Sequence, residues 1–555
     1  MKLNSDIQSF YSFSDVKMGS VSLHWFRKAL RLHDNPALLK ATESSWLIPL
    51  YILDTEYLDP RRTNANRVGF LLDSLKCLDE DLRSKGSCLF VAKGRPLDIM
   101  NSFIKEFQIQ RLTFERDTEP YNKKIEDELL KSSESHQIDV QSFSGHTLFD
   151  ADYLLQLSGG KAPLTMKEFY KVLSLAGDPA EIYDTPKELP PPPPVEINTF
   201  DQIRIFNRVP TLSELSDFGY NSSDKTTWLK AGEQEGLRRM DNFLEQKQRV
   251  ITFEKPKTNP TSLKPDTTAL SPYLTNGNLS VRLFYSKLRE ITSEHNNSKI
   301  IKSPVSLEGQ LYWREMSYLI GYTTPNFHQM VDNPICMQIP WRDGEDAQAL
   351  LDKWEAGQTG YPAVDAAMNQ LKSDGWIHHL ARHLLACFLT RGDLWVHWEM
   401  GRSVFEKNLI DHDWSVNNFQ WHWLSCSAFF HQYFRCYGPT TFFKKTDPTG
   451  DYIRKHVPLL AKFPDEYIYN PWEAPKSVQE AAGCIIGKDY PKPIVDHKTA
   501  SKDNMRKMKL AYDQAKINNQ TEPINAIDIE EKTTTQKVEE NVKTKNDIEK
   551  GERGD

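Results

Sequence analysis

Two short segments in the second half of the chain combine histidine, arginine, aspartate and tryptophan side chains. His379, Arg382 and His383 lie in the first segment, and Asp411 and Asp413 lie in the second. His379 and His383 are four residues apart in a helical context, so both rings are expected on one helix face. Arginine and aspartate can hold a cofactor by its charge, indoles can carry electrons, and imidazoles exchange protons near neutral pH. This combination favours a buried redox cofactor.

The same residue types have other interpretations. A zinc site is disfavoured because the glutamate of an HExxH motif is absent and no third ligand is obvious nearby, so no metal is predicted. His379 and His383 can instead have a purely structural role, as histidines at the rim of the core whose ring nitrogens form hydrogen bonds. Arg382 with Asp411 and Asp413 can likewise be a purely structural buried ion pair. The residue types alone leave these alternatives open.

Hydroxyl groups precede an apolar helical pattern at residues 267–274. Thr267, Thr268 and Ser271 offer side-chain oxygens and backbone amides that suit a phosphate group. Turns of this composition are common, so the pattern by itself predicts only a turn before a helix.

Length and composition limit the class of protein. The 555 residues exceed one ordinary core, and 39% hydrophobic with 26% charged residues is typical of a globular protein of two or three domains. The seven cysteines include no CxxC pair, which favours reduced thiols in an intracellular compartment over a disulfide framework. No run of eighteen apolar residues is present and the polar N-terminus does not resemble a signal peptide, so we expect a soluble protein without a membrane span.

Strand and helix patterns divide the chain. Apolar runs at 21–26, 46–53, 88–92 and 112–115 alternate with helical patterns, which predicts a parallel, Rossmann-like sheet in an α/β domain. No GxGxxG or Walker loop follows a strand, so a dinucleotide or nucleoside triphosphate site of those kinds is not expected. Five prolines at 190–194 mark a stiff connection, and helical patterns dominate after about residue 225. The predicted segments are a flexible extension (1–19), an α/β domain (20–150), a connector (151–225), a large all-α domain (226–517) and a disordered charged tail (518–555).

Several longer segments carry a family resemblance. They lie at residues 24–28, 31–36, 270–274, 309–315, 358–362, 375–383, 390–395, 446–454 and 487–493. Together they resemble the photolyase/cryptochrome family, and within it the branch of (6-4) photolyases and animal cryptochromes. The resemblance covers roughly residues 20–515.

The resemblance implies that the helical domain binds FAD. Thr267, Thr268 and Ser271 would meet its phosphates. The residues implied around the isoalloxazine ring are Gln310, Arg314, His379, Arg382, Asp411, Asp413 and Asn417. The electron-transfer chain implied between flavin and surface comprises Trp421, Trp398 and Trp341, with Trp395 as a fourth member. A second, antenna chromophore in the N-terminal domain could be a deazaflavin or a folate, and its presence stays open.

Three positions bear on the place of the chain within the family. Gln310 with His379 and His383 matches (6-4) photolyases rather than enzymes that act on cyclobutane dimers, and Asn417 matches the photolyase-type residue near flavin N5. Animal clock cryptochromes share all of these residues. The short tail and the segment 484–497 favour the repair branch. The chain departs from the usual pattern at Ala363, where the branch has an aromatic residue, and at Asn418, Phe419 and His422. A change of bulk beside the flavin or the lesion pocket would alter substrate fit or the redox balance of the flavin.

The resemblance therefore implies a lyase that repairs (6-4) pyrimidine–pyrimidone photoproducts in UV-damaged DNA with blue light. His379 would be the catalytic proton donor and His383 its essential partner. The alternative is an animal-type cryptochrome that acts as a photoreceptor or circadian transcriptional regulator with clock-protein partners and without repair. We expect a monomer in the nucleus, with the cytoplasm as a second location. The expected DNA-contacting rim is formed by Arg435, Lys444, Lys445, Arg454 and Lys455.

Overall fold

The computed structural model describes residues 19–194, 204–206, 208–295 and 300–517. The predicted tail at 518–555 and nearly all of the predicted N-terminal extension lie outside these residues. Apolar and β-branched runs form the inner strands of one sheet, whose order is β5-β4-β1-β2-β3-β6. The described strands are β1 Val21–Phe26, β2 Trp46–Asp54, β3 Phe90–Gly94, β4 Arg111–Glu115, β5 Asp139–Phe143 and β6 Arg204–Phe206.

The predicted α/β domain with a parallel sheet is confirmed. All neighbouring strands run parallel except β3 and β6, which are antiparallel. The four predicted strands appear within about two residues of their expected bounds. The edge strands β5 and β6 were not predicted. Strand β5 has the mostly polar sequence Asp-Val-Gln-Ser-Phe, and none of its residues is fully buried. It was not predicted because it contains no apolar run.

Helices pack around the sheet and build the rest of the chain. In the first part they are α1 Pro36–Ala41, α2 Ala65–Ser84, α3 Pro96–Phe107, α4 Pro120–His136, α5 Ala151–Leu157 and α6 Met166–Ala176. In the second part they are α7 Glu233–Leu244, α8 Lys247–Ile251, α9 Ser271–Asn276, α10 Val281–Glu294, α11 Leu307–Thr323, α12 Gly344–Ala356, α13 Pro362–Asp374, α14 His379–Cys387, α15 Trp398–Asn408, α16 Trp414–Leu424, α17 Asp451–His456, α18 Lys476–Ala482 and α19 His497–Ile517. The expected all-helical second half is thus confirmed.

The loop after β1 joins the two halves. Asn35 caps α1, because its side chain accepts a hydrogen bond from the Leu38 amide at 3.0 Å. Asp34 has a different role: its buried carboxylate accepts from the guanidinium of Arg282, on α10, at 2.7 Å. The carboxylate of Glu233, on α7, accepts from the Leu32 amide at 2.6 Å. These buried polar contacts fix the sheet against the helical half.

Part of the segment 151–225 also belongs structurally with the helices. Helices α5 and α6 share a buried apolar cluster with α10 and α11, which includes Leu154, Phe169 and Leu319. Within the described part of the chain, no helix has the length and apolarity needed to cross a membrane. Nor do the described residues hold a group of three or more histidine, cysteine or acidic side chains placed to bind a metal.

Candidate cofactor-binding site

A cavity of about 290 Å³ lies among α9, α11, α14, α16 and the turn before α16. Every residue that the resemblance assigned to FAD lines this cavity. They are Thr267, Thr268, Ser271, Gln310, Arg314, His379, Arg382, Asp411, Asp413 and Asn417, and the second histidine His383 and the first indole Trp421 join them. Residues that lie as far apart in the sequence as Thr267 and Asn417 thus meet around one cavity.

An ion pair holds one side of the cavity. Arg382, on α14, donates to Oδ2 of Asp411 at 2.7 Å. The other carboxylate oxygen, Oδ1, is buried and has no hydrogen-bond partner in the protein. Because a buried acceptor without a donor costs free energy, this oxygen is suited to a ligand N–H group.

Asp413 starts α16 and is the centre of a second polar network. One of its oxygens accepts from the Val416 amide at 3.0 Å and caps the helix. The other accepts from the Tyr318 hydroxyl and lies 3.5 Å from the ammonium of Lys28. Burial opposes ionisation, but the charges of Lys28 and Arg314 hold the pKa of Asp413 well below its usual range. This carboxylate is therefore ionised and rigid.

The histidines lie at the first turn of α14. His378 caps the helix, since its Nδ1 accepts from the Leu380 amide at 3.1 Å. The rings of His379 and His383 have centroids 5.8 Å apart, so they share one helix face as predicted. Nδ1 of His383 lies 3.0 Å from the Tyr437 hydroxyl, while Nε2 of His379 is buried without a partner.

Burial and a nearby cation keep both imidazoles neutral. Burial, followed by the charge of Lys255, lowers the pKa of His379 well below its usual range and that of His383 to about 3. Lys255 itself has a pKa lowered to about 8 by burial and by Arg382. A negative charge brought into the cavity would therefore raise the pKa of both histidines.

Amide and hydroxyl groups complete the wall. Gln310 uses its amide nitrogen to donate to the carbonyl of Pro304 at 2.8 Å, which fixes the side chain and leaves its amide oxygen available to a ligand. Asn417 is held by a bond from its amide nitrogen to the carbonyl of Arg402 at 3.3 Å. Ser271, at the start of α9, accepts from the indole N–H of Trp376 at 3.2 Å. The wall thus presents fixed acceptors, hydroxyls and cations, a set that suits the polar ring edge and the phosphates of FAD.

The four predicted electron-transfer tryptophans are all buried, and only Trp421 lines the cavity. Trp398 begins α15, which packs against the helix of Trp421. Trp341 and Trp395 are in contact, with ring centroids 4.6 Å apart. The exposed fractions of these two side chains are 6% and 4%, so the far end of the group reaches solvent only at its edges.

Three residues of the site were not predicted from the sequence. Lys255 and His412 line the cavity, and Tyr437 contacts His383. None of these residues belongs to a long helix or strand: Lys255 begins a short 3-10 helix, and His412 and Tyr437 lie in connecting segments.

Four residues depart from the usual family pattern, and none of them lines this cavity. They are Ala363, Asn418, Phe419 and His422. All four are buried, and Phe419 stacks on Phe429 with ring centroids 4.4 Å apart. The change of bulk expected beside the flavin is therefore not found in the lining of this cavity.

The predicted basic rim divides in two. Lys444, Lys445 and Lys455 are exposed. Arg454 is instead bonded to the carboxylate of Asp465 at 2.7 Å and to the carbonyl of Phe463 at 2.8 Å, so it stabilises its own loop. Arg435 is exposed, as the three lysines are.

A second cavity, of about 200 Å³, lies between the sheet and the helical half. It is lined by aromatic and charged side chains that include Trp25, Lys28, Tyr57 and Glu119. His412 lines both cavities, so the two are separated by little more than one side chain.

Comparison with known proteins agrees with this arrangement. Residues 22–193 match the family model described as DNA photolyase, and residues 306–510 match that of the FAD binding domain of DNA photolyase. The chain is 46% identical over 516 residues to the (6-4)DNA photolyase of Arabidopsis thaliana, covering 90% of each protein. It is 45% identical over 501 residues to Cryptochrome-1 of Erithacus rubecula, covering 90% of this chain and 79% of that protein.

A solved structure shows the same architecture. The bacterial class III photolyase of Agrobacterium tumefaciens superposes with a TM-score of 0.75 at 28% identity, over 91% of this chain and all of that one. With an FAD-binding domain matched in sequence and a cavity whose polar groups fit that cofactor, the chain belongs to the photolyase/cryptochrome family.

Proposed function

We propose that this protein uses FAD and blue light to repair (6-4) pyrimidine–pyrimidone photoproducts in UV-damaged DNA. The observation that carries the proposal is the position of His379 and His383 beside Gln310 on the wall of the cavity that fits FAD. Repair of a (6-4) lesion requires a proton transfer that repair of a cyclobutane dimer does not, and two imidazoles at this position would supply it. The 46% identity to a plant protein named (6-4)DNA photolyase supports the same assignment.

Reduced FAD, when bound, supplies a light-excited electron to the lesion and recovers it after repair. Arg382 and Asp411 hold the ring by charge and hydrogen bonding, with the free Oδ1 of Asp411 as acceptor. Thr267, Thr268 and Ser271 are proposed to meet the phosphates. Gln310, Arg314, Asp413 and Asn417 complete the set of residues proposed to surround the ring.

His379 is proposed to donate the proton that lets the transferred hydroxyl or amino group return to its original ring. The lesion must leave the duplex to reach it, which costs least for a base pair that already stacks poorly. Since burial and Lys255 lower the pKa of His379, its protonation depends on the negative charge that the DNA strand and the reduced cofactor bring. His383, held by Tyr437 at 3.0 Å, positions the neighbouring ring and shares its proton.

The tryptophans serve a separate step. Trp421, Trp398, Trp341 and Trp395 are proposed to pass electrons inward and reduce FAD before repair. The exposed lysines 444, 445 and 455 are proposed to contact DNA phosphates, which predicts salt-dependent binding. A second chromophore, deazaflavin or folate, would occupy the cavity between the two halves. The protein is proposed to act as a monomer in the nucleus, with the cytoplasm as a second location.

An animal-type cryptochrome is the second candidate. The 45% identity to a bird protein named Cryptochrome-1 favours a photoreceptor or circadian regulator with clock-protein partners almost as strongly as repair. The histidine pair does not separate the two, because both groups carry it.

One experiment decides between them. The reduced, FAD-loaded protein is illuminated with blue light in the presence of DNA that carries one (6-4) lesion, and restored thymines are quantified. Cyclobutane-dimer DNA and the His379→Ala variant are the controls. Repair of the (6-4) lesion alone, lost in the variant, supports the proposal. Binding of FAD without repair of either lesion would leave the cryptochrome as the better account.

A further inference from the structure

Trp395, the outer member of the predicted tryptophan chain, lies beneath a lysine of the last helix. The ammonium of Lys507, on α19, is 5.0 Å from the centre of the Trp395 ring. The indole is only 4% exposed, whereas the lysine above it is partly exposed. A molecule that approaches this face of the indole from solvent therefore meets the ammonium first.

The backbone holds Trp395 in a conformation that tryptophan rarely adopts. Its φ of 59° lies in the left-handed region, which costs free energy for a residue with a side chain. Its amide donates to the carbonyl of Thr390 at 2.9 Å, and its carbonyl accepts from the amide of Arg342 at 2.8 Å. The indole N–H donates to the carbonyl of Pro340 at 2.9 Å. Strain that the surrounding bonds maintain in this way indicates that the position of the ring has a function.

Helix α19 is fastened close to the same indole. Nδ1 of His497 forms a hydrogen bond with the carboxylate of Asp393 at 2.7 Å, and the side-chain amide of Asn504 donates to the carbonyl of Asp393 at 3.1 Å. Asp393 precedes Trp395 by two residues. The place of Lys507 over the ring is therefore set by the docking of the helix and not only by a flexible side chain.

Two cations near this indole lack a carboxylate partner among the described residues. Arg342 is exposed, and Lys507 donates only to the amide oxygen of Asn504 at 3.4 Å. Burial, followed by the charge of Arg342, lowers the pKa of Lys507, so the two cations lie close enough to repel each other. Asp503 offsets part of this repulsion, but it pairs with Arg506 at 3.9 Å. The outer end of the chain is thus suited to an anion from solution.

We infer that Lys507 and Arg342 form a docking site for a small anionic one-electron donor, such as ascorbate, that returns an electron to Trp395. The inference rests on the tryptophan chain of the proposed function. A cation over an indole stabilises the neutral ring and opposes its oxidation. An anion that pairs with Lys507 offsets this effect, so the indole is oxidised more readily when the donor is already bound beside it.

The step moves one electron. The electron vacancy passes outward from Trp341 to Trp395, whose ring centroids are 4.6 Å apart. The carbonyl oxygen of Pro340 is too weak a base to take the indole hydrogen, so oxidised Trp395 is a radical cation that needs only an electron. One electron from the donor restores the neutral indole. The donor is oxidised to a radical, and in the case of ascorbate its proton goes to water.

The first test needs neither light nor repair. Full-length protein labelled with 5-fluorotryptophan is titrated with ascorbate in the dark at constant ionic strength, and 19F NMR follows the Trp395 resonance, assigned by its loss in Trp395→Phe. The wild type should show a saturable shift, and Lys507→Gln should bind at least about threefold more weakly. No saturable shift in the wild type, or equal affinity in Lys507→Gln, would overturn the inference whatever the cofactor does.

Lys509→Gln is the matched control. Lys509 is exposed on the same helix, so this variant removes an equal charge. Two residues along a helix turn a side chain by about 200°, so Lys509 points away from the side that carries Lys507. The affinity of this variant for ascorbate should equal that of the wild type.

The second test follows the tryptophan radical after a blue flash on protein with oxidised FAD. Ascorbate should shorten the lifetime of the radical in proportion to its concentration, and added salt should weaken this effect. In Lys507→Gln the second-order rate constant for ascorbate should fall about threefold or more, with a weaker dependence on salt. Hydroquinone, which is uncharged at neutral pH, should react no more slowly with the variant than with the wild type.

The outcomes separate the docking site from the tryptophan chain. Equal rate constants for ascorbate in wild type and Lys507→Gln would reject the docking site and leave the chain intact. If the wild type forms no tryptophan radical, or if Trp421→Phe is photoreduced equally, the chain of the proposed function fails. The dark titration still decides in that case whether an anion docks at Lys507.

Discussion

Arg382 and Asp411 form an ion pair that uses only one of the two carboxylate oxygens. The guanidinium reaches Oδ2 at 2.7 Å, while Oδ1 remains buried and unpaired on the wall of the cavity. The side chain of Asp411 is 2% exposed and that of Arg382 is 22% exposed. A purely structural pair would be expected to satisfy both oxygens, so the free one indicates a place for a ligand donor.

The first prediction follows from this pair. Asp411→Ala leaves Arg382 without its partner and should cost about 3 kcal/mol, near the low end for a broken buried pair because the arginine is partly exposed. The purified variant should also lose most of its FAD. The free energy of unfolding and the ratio of FAD to protein measure both effects. Asp465→Ala breaks the exposed pair with Arg454 and should cost no more than about 1 kcal/mol with FAD retained. Full FAD content in Asp411→Ala would contradict the proposed site.

The second prediction separates photoreduction from repair. Trp421→Phe removes the only indole of the predicted chain that lines the cavity, so light should no longer reduce oxidised FAD in the variant. Repair should stay near the wild-type rate when FAD is reduced chemically beforehand. Trp354→Phe is the control, because Trp354 is equally buried but contacts Phe405 instead of the cavity. If both activities of Trp421→Phe fell together, the indole would have a structural role.

The third prediction concerns the histidine pair. His379→Ala should abolish repair of (6-4) lesions, since no proton donor remains, while binding of FAD and of lesion DNA persists. His383→Ala should lose most activity, because the remaining imidazole has no partner to set its protonation. The half-buried His295 at the end of α10 lies away from the cavity, and His295→Ala should repair normally. Active His379→Ala would reject this ring as the donor.

The fourth prediction is a pH shift. A protonated donor is present below its pKa and is lost as the pH rises through it, so the repair rate should fall on the alkaline side. Lys255→Met removes the cation that, after burial, most lowers the pKa of His379 and His383, so the fall should move to higher pH. The pKa of Lys255 is about 8, so wild type and variant should converge above that value.

Lys257→Met is the control for this shift. Lys257 pairs with Glu254 at the surface and its side chain is 69% exposed, so its removal should leave the pH profile unchanged. A profile of Lys255→Met that moves to lower pH, or does not move, would show that this charge does not act on the proton donor.

The sequence by itself determined the two kinds of architecture and most of the cofactor wall. Alternating apolar strands and helical patterns predict a parallel sheet without reference to any contact, because sheet and helix differ in their periodicity. The spacing of His379 and His383 likewise predicts a shared face, since four residues are close to one helical turn. Motif resemblance then assigned ten residues to FAD, and all ten line one cavity.

Tertiary structure alone decided which side chains meet across distant segments. Tyr437 contacts His383 from a connecting segment, and Lys255 lines the same cavity from a short 3-10 helix. The pKa of His383 therefore depends on burial and charge that no local pattern encodes. The direction of a side chain is also set by helix packing: His422 is one residue from Trp421, yet it is turned into the core while Trp421 lines the cavity. Consecutive side chains on a helix point about 100° apart, so only one of two neighbours can face the cofactor. Which of the two does so depends on how the neighbouring helices pack, and the sequence of the helix alone does not determine this.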